Sequence, residues 1–188
     1  MILARDAGTK VTVSAVITKL NAGGIGEVID LAAAFSADSV SLNRFVPGGE
    51  GIRHVAELMP TGAELEQALA AADARSAGLG IPVAVTIPVE SCIIGHGRFP
   101  HLHFGKCCCG REKWVIDPLG NLRTCEQNPE ILGSLFERSF SELAGSLQAT
   151  GFRNDDLKRD CGECPVYESC GGGCRFLRDG RETIIRRI

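Results

Sequence analysis

The chain has 188 residues, of which 44% are hydrophobic and 23% charged, a balance typical of a globular protein with a buried core. Its formal net charge of −3 argues against a nucleic-acid-binding surface. The sequence contains no run of about 20 apolar residues, and its N-terminus lacks the layout of a signal peptide. We therefore expect a cytoplasmic protein that binds neither a membrane nor nucleic acid.

Strand and helix patterns alternate through the first half of the chain. β-branched and apolar runs predict strands, and one-sided apolar spacing predicts helices between them. The predicted elements are a strand within 10–21, a helix over 25–37, a strand within 39–49, a helix over 61–80 and a strand over 81–89. The helix over 61–80 has a capping box of Thr61 and Glu64 at its start and Gly78 or Gly80 at its end.

This order predicts right-handed βαβ units, an α/β fold and a parallel sheet. Three such strands are too few to close a barrel, which needs about eight strands. The first half is therefore interpreted as part of a larger barrel. The alternative is a small three-stranded α/β layer closed by the second half of the chain.

The nine cysteines all lie in the second half of the chain. Thiol clusters in a reducing cytoplasm are more typical of metal ligands than of disulfides. Cys92 stands alone and is predicted to be a small buried residue. This uneven distribution predicts two domains, residues 1–91 and residues 92–188.

The second half begins with a predicted β-hairpin. "KWVID" and "NLRTC" are short strand patterns, and residues 118–121 supply the turn between them. The hairpin places Cys125 at the end of its second strand and Cys107–Cys109 just before its first. A short helix is predicted over 139–147, with Ser139 or Ser141 as its cap.

Four further cysteines lie in "DCGECPVYESCGGGC", residues 160–174. Cys161 and Cys164 have the C-x2-C spacing with which two thiolates commonly chelate one centre. Cys170 and Cys174 enclose three glycines, which admit positive φ and allow amide groups to point at cluster sulfurs. The pattern indicates a metal site, either an iron–sulfur centre or a zinc knuckle that uses the same four ligands.

Taken together, these spacings resemble the SPASM domain of radical S-adenosylmethionine enzymes. The matching pattern is Cys107, Gly120-x4-Cys125 and Cys161-x2-Cys164-x5-Cys170-x3-Cys174, with "VIDPLGNLRTC" and "ILGSLFERSFSEL" between the groups. Enzymes with this domain include sulfatase-maturing enzymes, the radical enzyme of pyrroloquinoline quinone synthesis and peptide maturases. The stretches "VTVSAVITKLN" and "VSLNRFVPGGEG" in the first half resemble later strands of the family's partial (β/α)6 TIM-like barrel.

The resemblance implies a SPASM-type α+β domain with two auxiliary [4Fe–4S] clusters. Carried over by position, the first cluster takes Cys107, Cys125 and Cys174, with Cys108 or Cys109 adjacent as a fourth thiol. The second takes Cys161, Cys164 and Cys170. Its last family ligand is a later cysteine, which the sequence lacks, so we expect this cluster to be absent, incomplete or completed by another group.

The resemblance also concerns S-adenosylmethionine. The sequence contains no C-x3-C-x2-C, the motif that binds the family's catalytic cluster, so the chain is expected to be inactive alone. The cofactor would be bound only in the complete enzyme, where its ribose and carboxylate contacts correspond to Ser14, Asn21, Asn43 and Arg44. Taken singly, each of these residues also has a simpler interpretation as a loop cap or a solvated charge.

Two functions are consistent with the sequence. In the first, the chain is the cluster-bearing part of an oxidoreductase that modifies a peptide or protein, with a missing N-terminal barrel half or an oligomer partner. In the second, zinc or iron–sulfur only stabilises a non-enzymatic module that binds a leader peptide or partner chain. His96, His101 and His103 lie near the cysteines and are expected to be linker residues or donors to the ligands.

Overall fold

The computed structural model describes residues 2–150, 161 and 163–179. The described residues form two compact units. The first takes in the residues up to Lys106 and those from Ser169 onward, and the second is Cys107–Glu168. Among the described helices, none is long and apolar enough to cross a membrane.

The first unit is built on a four-stranded parallel sheet. Its strands, in spatial as in chain order, are β1 (Thr12–Ile17), β2 (Ser39–Arg44), β3 (Val83–Val85) and β4 (Leu102–Phe104). The register sets Leu42 beside Ala15 and Val85. The predicted α/β class and parallel sheet are therefore confirmed.

Two details of the sheet differ from the sequence prediction. The third strand, expected over 81–89, is limited to Val83–Val85. The fourth strand, β4, was not predicted, because a three-residue strand is too short to show a period. His103, expected to be a surface residue of a linker, is exposed, but it lies within β4 and not in a linker.

Helices cover one face of the sheet. The helices of the first unit are α1 (Ile2–Asp6), α2 (Ile25–Ala34), α3 (Val55–Leu58) and α4 (Gly62–Leu79), with 3₁₀ turns at Ala22–Gly24, Gly49–His54 and His96–Arg98. Of these, α2 and α4 pack against the strands. Ile29 of α2 and Leu69 of α4 are fully buried in one apolar cluster with Val40 and Leu42 of β2. Burial of these alternate strand residues fixes the face of β2 that the helices cover.

The ends of α4 are those that the sequence predicts. The hydroxyl of Thr61 accepts the N–H of Glu64, and the Glu64 carboxylate accepts the N–H of Thr61, which completes the capping box. Gly80 ends the helix with a φ of 65° in the left-handed region. Both boundary predictions for this helix are confirmed.

The second unit contains a three-stranded antiparallel sheet of β5 (Val115–Ile116), β6 (Asn121–Arg123) and β7 (Gly133–Ser134). The predicted hairpin of β5 and β6 is confirmed, whereas β7 was not predicted. Asp117 closes the turn by accepting the N–H groups of Leu119 and Asn121 at 2.9 and 3.0 Å. Helix α5 (Phe140–Thr150) follows and is capped by Ser139.

Two short helices lie near the end of the described chain, α6 (Tyr167–Cys170) and α7 (Arg175–Asp179). Between them, Gly171, Gly172 and Gly173 have φ angles of 65°, 77° and 81°. A residue with a β-carbon rarely adopts this left-handed backbone, and three in succession favour glycine strongly. The prediction that these glycines supply positive φ is confirmed.

Candidate metal centres

The loop that carries Cys107–Cys109 is held by one carbonyl group. The backbone oxygen of Cys108 accepts the N–H groups of Arg111, Glu112 and Lys113 at 2.9 to 3.1 Å. Gly110, with a φ of 70°, donates its own N–H to the carbonyl of Lys113 at 2.9 Å. These bonds fold the loop back on itself and so fix the backbone that carries Cys109.

Cys109, Cys125 and Glu126 form a compact set of metal-binding groups. One ligand atom from each residue lies within 4.8 Å of the others. Cys125 follows β6 directly after the buried Thr124, and its sulfur accepts the N–H of Gln127 at 3.4 Å. The β-hairpin thus supplies one thiol and one carboxylate, and the loop 107–113 supplies the other thiol.

Hydrogen bonds among the thiols shift the pKa values of Cys109 and Cys125 in opposite directions. Bonds to Cys107 and Cys125, together with burial, raise the pKa of Cys109. The bond from Cys109 is the main reason that the pKa of Cys125 falls to about 7. Since a metal ligand must be deprotonated, the set already favours one thiolate near neutral pH.

Glu126 adds a carboxylate beside the thiols. The Nζ of Lys113 lies 2.6 Å from its Oε1, and the Cys125 thiol donates to its Oε2 at 3.6 Å. Burial opposes ionisation, yet the hydrogen bond and charge of Lys113 hold the pKa of Glu126 below its usual range. Glu126 was not predicted, although its position directly after Cys125 was a usable signal.

The structure brings some of the predicted ligands together. The thiols of Cys107, Cys109 and Cys125 lie in one hydrogen-bonded group within the second unit. Cys174 belongs to the first unit, so its predicted place beside Cys107 and Cys125 stays a prediction. The donor set suits an iron–sulfur centre, because it offers soft, closely spaced thiols with one backbone N–H directed at a sulfur.

The C-x2-C pair forms a separate turn. The N–H of Cys164 donates to the carbonyl of Cys161 at 2.9 Å, and the N–H of Tyr167 donates to the carbonyl of Cys164 at 3.0 Å. Both thiols are half-buried. Cys161 and Cys164 belong to the second unit and Cys170 to the first, so their predicted grouping also stays a prediction.

Cys170 and Cys174 are both buried at the two ends of the glycine turn. The sulfur of Cys170 accepts the N–H of Ser91 at 3.4 Å. This donor comes from the segment after β3, whereas the sequence pattern suggested the glycines themselves as amide donors. The turn is therefore tied to the sheet through Ser91.

The residues predicted to contact S-adenosylmethionine fall into three places. Asn43 donates to the Ser14 hydroxyl at 3.3 Å and accepts a hydrogen bond from Thr86, on the sheet face opposite the apolar cluster. Asn21 closes the turn after β1 by accepting the N–H of Thr18 and donating to the carbonyl of Val16, each at 2.8 Å. Only Ser14 and Asn43 are brought together.

Arg44, the last residue of β2, lies on the other face and is nine-tenths buried. Its Nη1 donates to Oε2 of Glu90 at 2.8 Å. Within the part of the chain that the structure describes, its Nε and Nη2 are buried without a hydrogen-bond partner. A buried guanidinium with two open donors suits an anionic group such as a carboxylate.

His96 is packed against neighbouring residues, whereas Cys92 is exposed. The ring of His96 stacks on Phe104 at 4.0 Å, and its nitrogens contact the Ser91 hydroxyl at 3.1 Å and the Val89 carbonyl at 2.9 Å. These contacts give His96 a packing role beside the Ser91 segment. The prediction that Cys92 is buried is wrong, because it is exposed.

Comparison with known proteins gives a family match for this part of the chain. Residues 107–165 match the family model of the SPASM iron–sulfur cluster-binding domain. The predicted family resemblance is confirmed. In this stretch the chain is similar to the SPASM domains of radical S-adenosylmethionine enzymes, and the match contains Cys107, Cys109, Cys125, Cys161 and Cys164.

Relatives extend the similarity to the first half of the chain. A PqqA peptide cyclase of Methylocella silvestris is 31% identical over 179 residues, covering 90% of this chain and 46% of that protein. A PqqA peptide cyclase of Streptomyces rochei is 27% identical over 183 residues, with 90% and 47% covered. The mycofactocin maturase MftC of Mycobacterium tuberculosis is 27% identical over 191 residues, with 89% and 42% covered. The chain spans less than half the length of these relatives.

Proposed function

We propose that this chain is the auxiliary-cluster part of a radical S-adenosylmethionine maturase that acts on a peptide or protein. The observation that carries the proposal is the hydrogen-bonded cluster of three thiols, which lies inside the stretch that matches the SPASM domain. Its members are Cys107, Cys109 and Cys125. The names of the relatives, a peptide cyclase and a maturase, support a peptide as the substrate class.

The cluster ligands form two proposed sets. Cys107, Cys109 and Cys125 would hold one iron–sulfur cluster, with Cys174 as a further ligand; Cys161, Cys164 and Cys170 would hold another. When bound, such a cluster supplies one-electron transfer at a potential that its surroundings set. Within this chain, the Gln127 N–H directed at Cys125 and the ion pair of Glu126 with Lys113 are the groups that tune the first site.

The sheet of the first unit suits a barrel that other strands complete. Parallel strands are normally covered on both faces, yet one face here carries hydrogen-bonded polar groups, including Ser14, Ser41, Asn43 and Thr86. Strand β1 stands at the edge of the sheet and can accept a further parallel strand. We assign that place to an N-terminal barrel half or a partner chain, and the polar face to the barrel interior.

The residues of the first unit would then contact S-adenosylmethionine in the complete enzyme. Ser14 and Asn43 offer a hydroxyl and an amide on the polar face, suited to a ribose. Arg44 has two donors without a partner among the described residues, but it lies on the helix-covered face, away from the proposed barrel interior, so its expected contact with the cofactor has less support than those of Ser14 and Asn43. Asn21 is engaged in its own turn, so its expected role in cofactor binding has the least support.

A zinc-stabilised binding module is the second candidate. Ligand atoms of Cys109, Cys125 and Glu126 within 4.8 Å of one another suit a single tetrahedral ion, because zinc lies only about 2.3 Å from each thiolate. In that case the metal would stabilise the fold of the second unit without redox chemistry.

Metal analysis of the 188-residue chain decides between the two functions. The chain is purified without oxygen and offered Fe²⁺ with sulfide, or Zn²⁺ alone, in parallel samples. The proposal expects a brown protein with several iron and sulfide ions per chain and a cluster electron paramagnetic resonance signal after reduction. Uptake of zinc with no sulfide retained would overturn the proposal and favour the binding module.

A further inference from the structure

Glu90 is a buried acid that none of the proposed cofactor or metal contacts uses. It follows β3 in the chain and is only 3% exposed. Its Oε2 accepts the guanidinium of Arg44 at 2.8 Å. Because removing an ion from water is costly, a buried pair of this kind persists only where its geometry is well supported.

The other side of the Glu90 side chain lies against the glycine turn. A β-carbon added at Gly173 would lie 2.4 Å from Cγ, 2.5 Å from Cδ and 2.8 Å from Oε1 of Glu90. Gly173 also has a φ of 81°. Glycine is therefore favoured at this position for two reasons, the left-handed backbone conformation and the close contact with Glu90. The Glu90 carboxyl group therefore packs directly on the backbone next to Cys174.

Ser91, the next residue, contacts the other end of the same turn. Its N–H donates to the sulfur of Cys170 at 3.4 Å, and Cys170 and Cys174 are both buried. Two consecutive residues thus contact Cys170 and Gly173. The segment Glu90–Ser91 therefore contacts the glycine turn at both of its ends.

We propose that Glu90 is a positioning residue that sets the thiols of Cys170 and Cys174 through its contact with Gly173, and that Arg44 holds Glu90 in place. The carboxylate is fixed on one side by the guanidinium at the end of β2 and on the other by the turn. A change at Glu90 would therefore alter the directions of two sulfurs without removing either. The role of these sulfurs as cluster ligands rests on the proposed function, but their positioning by Glu90 does not.

The first test measures thiol accessibility in the metal-free chain of 188 residues. Glu90→Gln keeps the shape of the side chain and removes its charge, and Glu27→Gln, on the exposed side of α2, is the matched control. Timed alkylation followed by mass spectrometry gives a rate for each cysteine. We expect several-fold faster labelling of Cys170 and Cys174 in Glu90→Gln, with Cys161 and Cys164 unchanged. Rates equal to those of the control would overturn the proposal.

The second test measures the reconstituted protein. Glu90→Gln and Gly173→Ala should each shift the electron paramagnetic resonance spectrum or midpoint potential of the iron–sulfur signal, while Glu27→Gln leaves both unchanged.

If Glu90→Gln does not fold, Arg44→Lys replaces it, since lysine keeps the buried positive charge but loses the planar fork. Folded variants with unchanged spectra and potentials would overturn the proposal. Failure of the wild-type chain to bind iron would instead overturn the proposed function, and the alkylation rates would still test Glu90.

Discussion

The thiol of Cys109 hydrogen-bonds to the sulfur of Cys125, which joins the loop 107–113 to the end of β6. This relationship makes Cys109 a stronger ligand candidate than its position in the cysteine triplet alone indicates. We predict that Cys109→Ala lowers the iron and sulfide content of the reconstituted chain by about one cluster. Removing one of the thiols leaves the site with too few soft ligands to retain a cluster.

Cys108→Ala is the matched control for this prediction. Cys108 contributes its backbone carbonyl to the loop, accepting three N–H groups, and that carbonyl remains after the substitution. The Cys108→Ala chain should therefore keep the wild-type iron content. If Cys108→Ala loses iron while Cys109→Ala retains it, the loop presents a different thiol from the one assigned here.

Glu126→Gln should raise the reduction potential of the cluster at this site. The carboxylate lies within 4.8 Å of two thiol ligands, and its negative charge disfavours the addition of an electron. We expect a rise on the order of 60 mV, a tenfold shift for a one-electron couple. Potentiometric titration monitored by electron paramagnetic resonance measures it. Glu112→Gln, an exposed residue of the same loop, should leave the potential unchanged.

Long periodic elements were the most predictable part of the fold. The helix α4 was expected with both boundaries, because a capping box and a terminal glycine are local signals that depend on few neighbours. The hairpin of β5 and β6 was expected for the same reason, since its turn residues act locally. The strands β4 and β7, of three and two residues, have no period of their own and exist because a neighbouring strand pairs with them.

The candidate site was predictable in residue type but not in contact. Cysteine spacing identified the thiols, whereas the choice of Cys109 beside Cys125 depends on how the carbonyl of Cys108 folds the loop. The role of Glu90 was not visible either. A single acid in an apolar segment gives no sequence signal, and only the folded chain shows that it contacts both Arg44 and Gly173.

The capping box of α4 predicts a pH-dependent contribution to stability. Hydrogen bonds from the N–H and then the hydroxyl of Thr61 hold the pKa of Glu64 below its usual range. Its contribution is therefore complete above the unfolded pKa, about 4.3, and is lost as the pH falls through the lower folded value. Glu64→Gln should destabilise α4 at pH about 7, and this difference should be lost at a second, acidic pH below the lowered pKa of Glu64.

Hydrogen exchange of the α4 amides, compared between Glu64→Gln and wild type at both pH values, measures this effect. A difference that persists at the lower pH would show that ionisation of Glu64 is not its source. Thr61→Ala removes the cap itself and should cost about 1 kcal/mol of unfolding free energy at neutral pH.

Gly120→Ala should destabilise the second unit by about 1–2 kcal/mol, the usual cost of the left-handed conformation for a residue with a β-carbon. Gly120 has a φ of 77° in the hairpin turn, and an added β-carbon would lie 2.4 Å from the Phe136 ring. Gly145→Ala is the control, because Gly145 lies in α5 with open space around it, and alanine should stabilise that helix. Urea unfolding followed by Trp114 fluorescence measures both changes. A neutral Gly120→Ala would show that this turn relaxes away from the left-handed conformation.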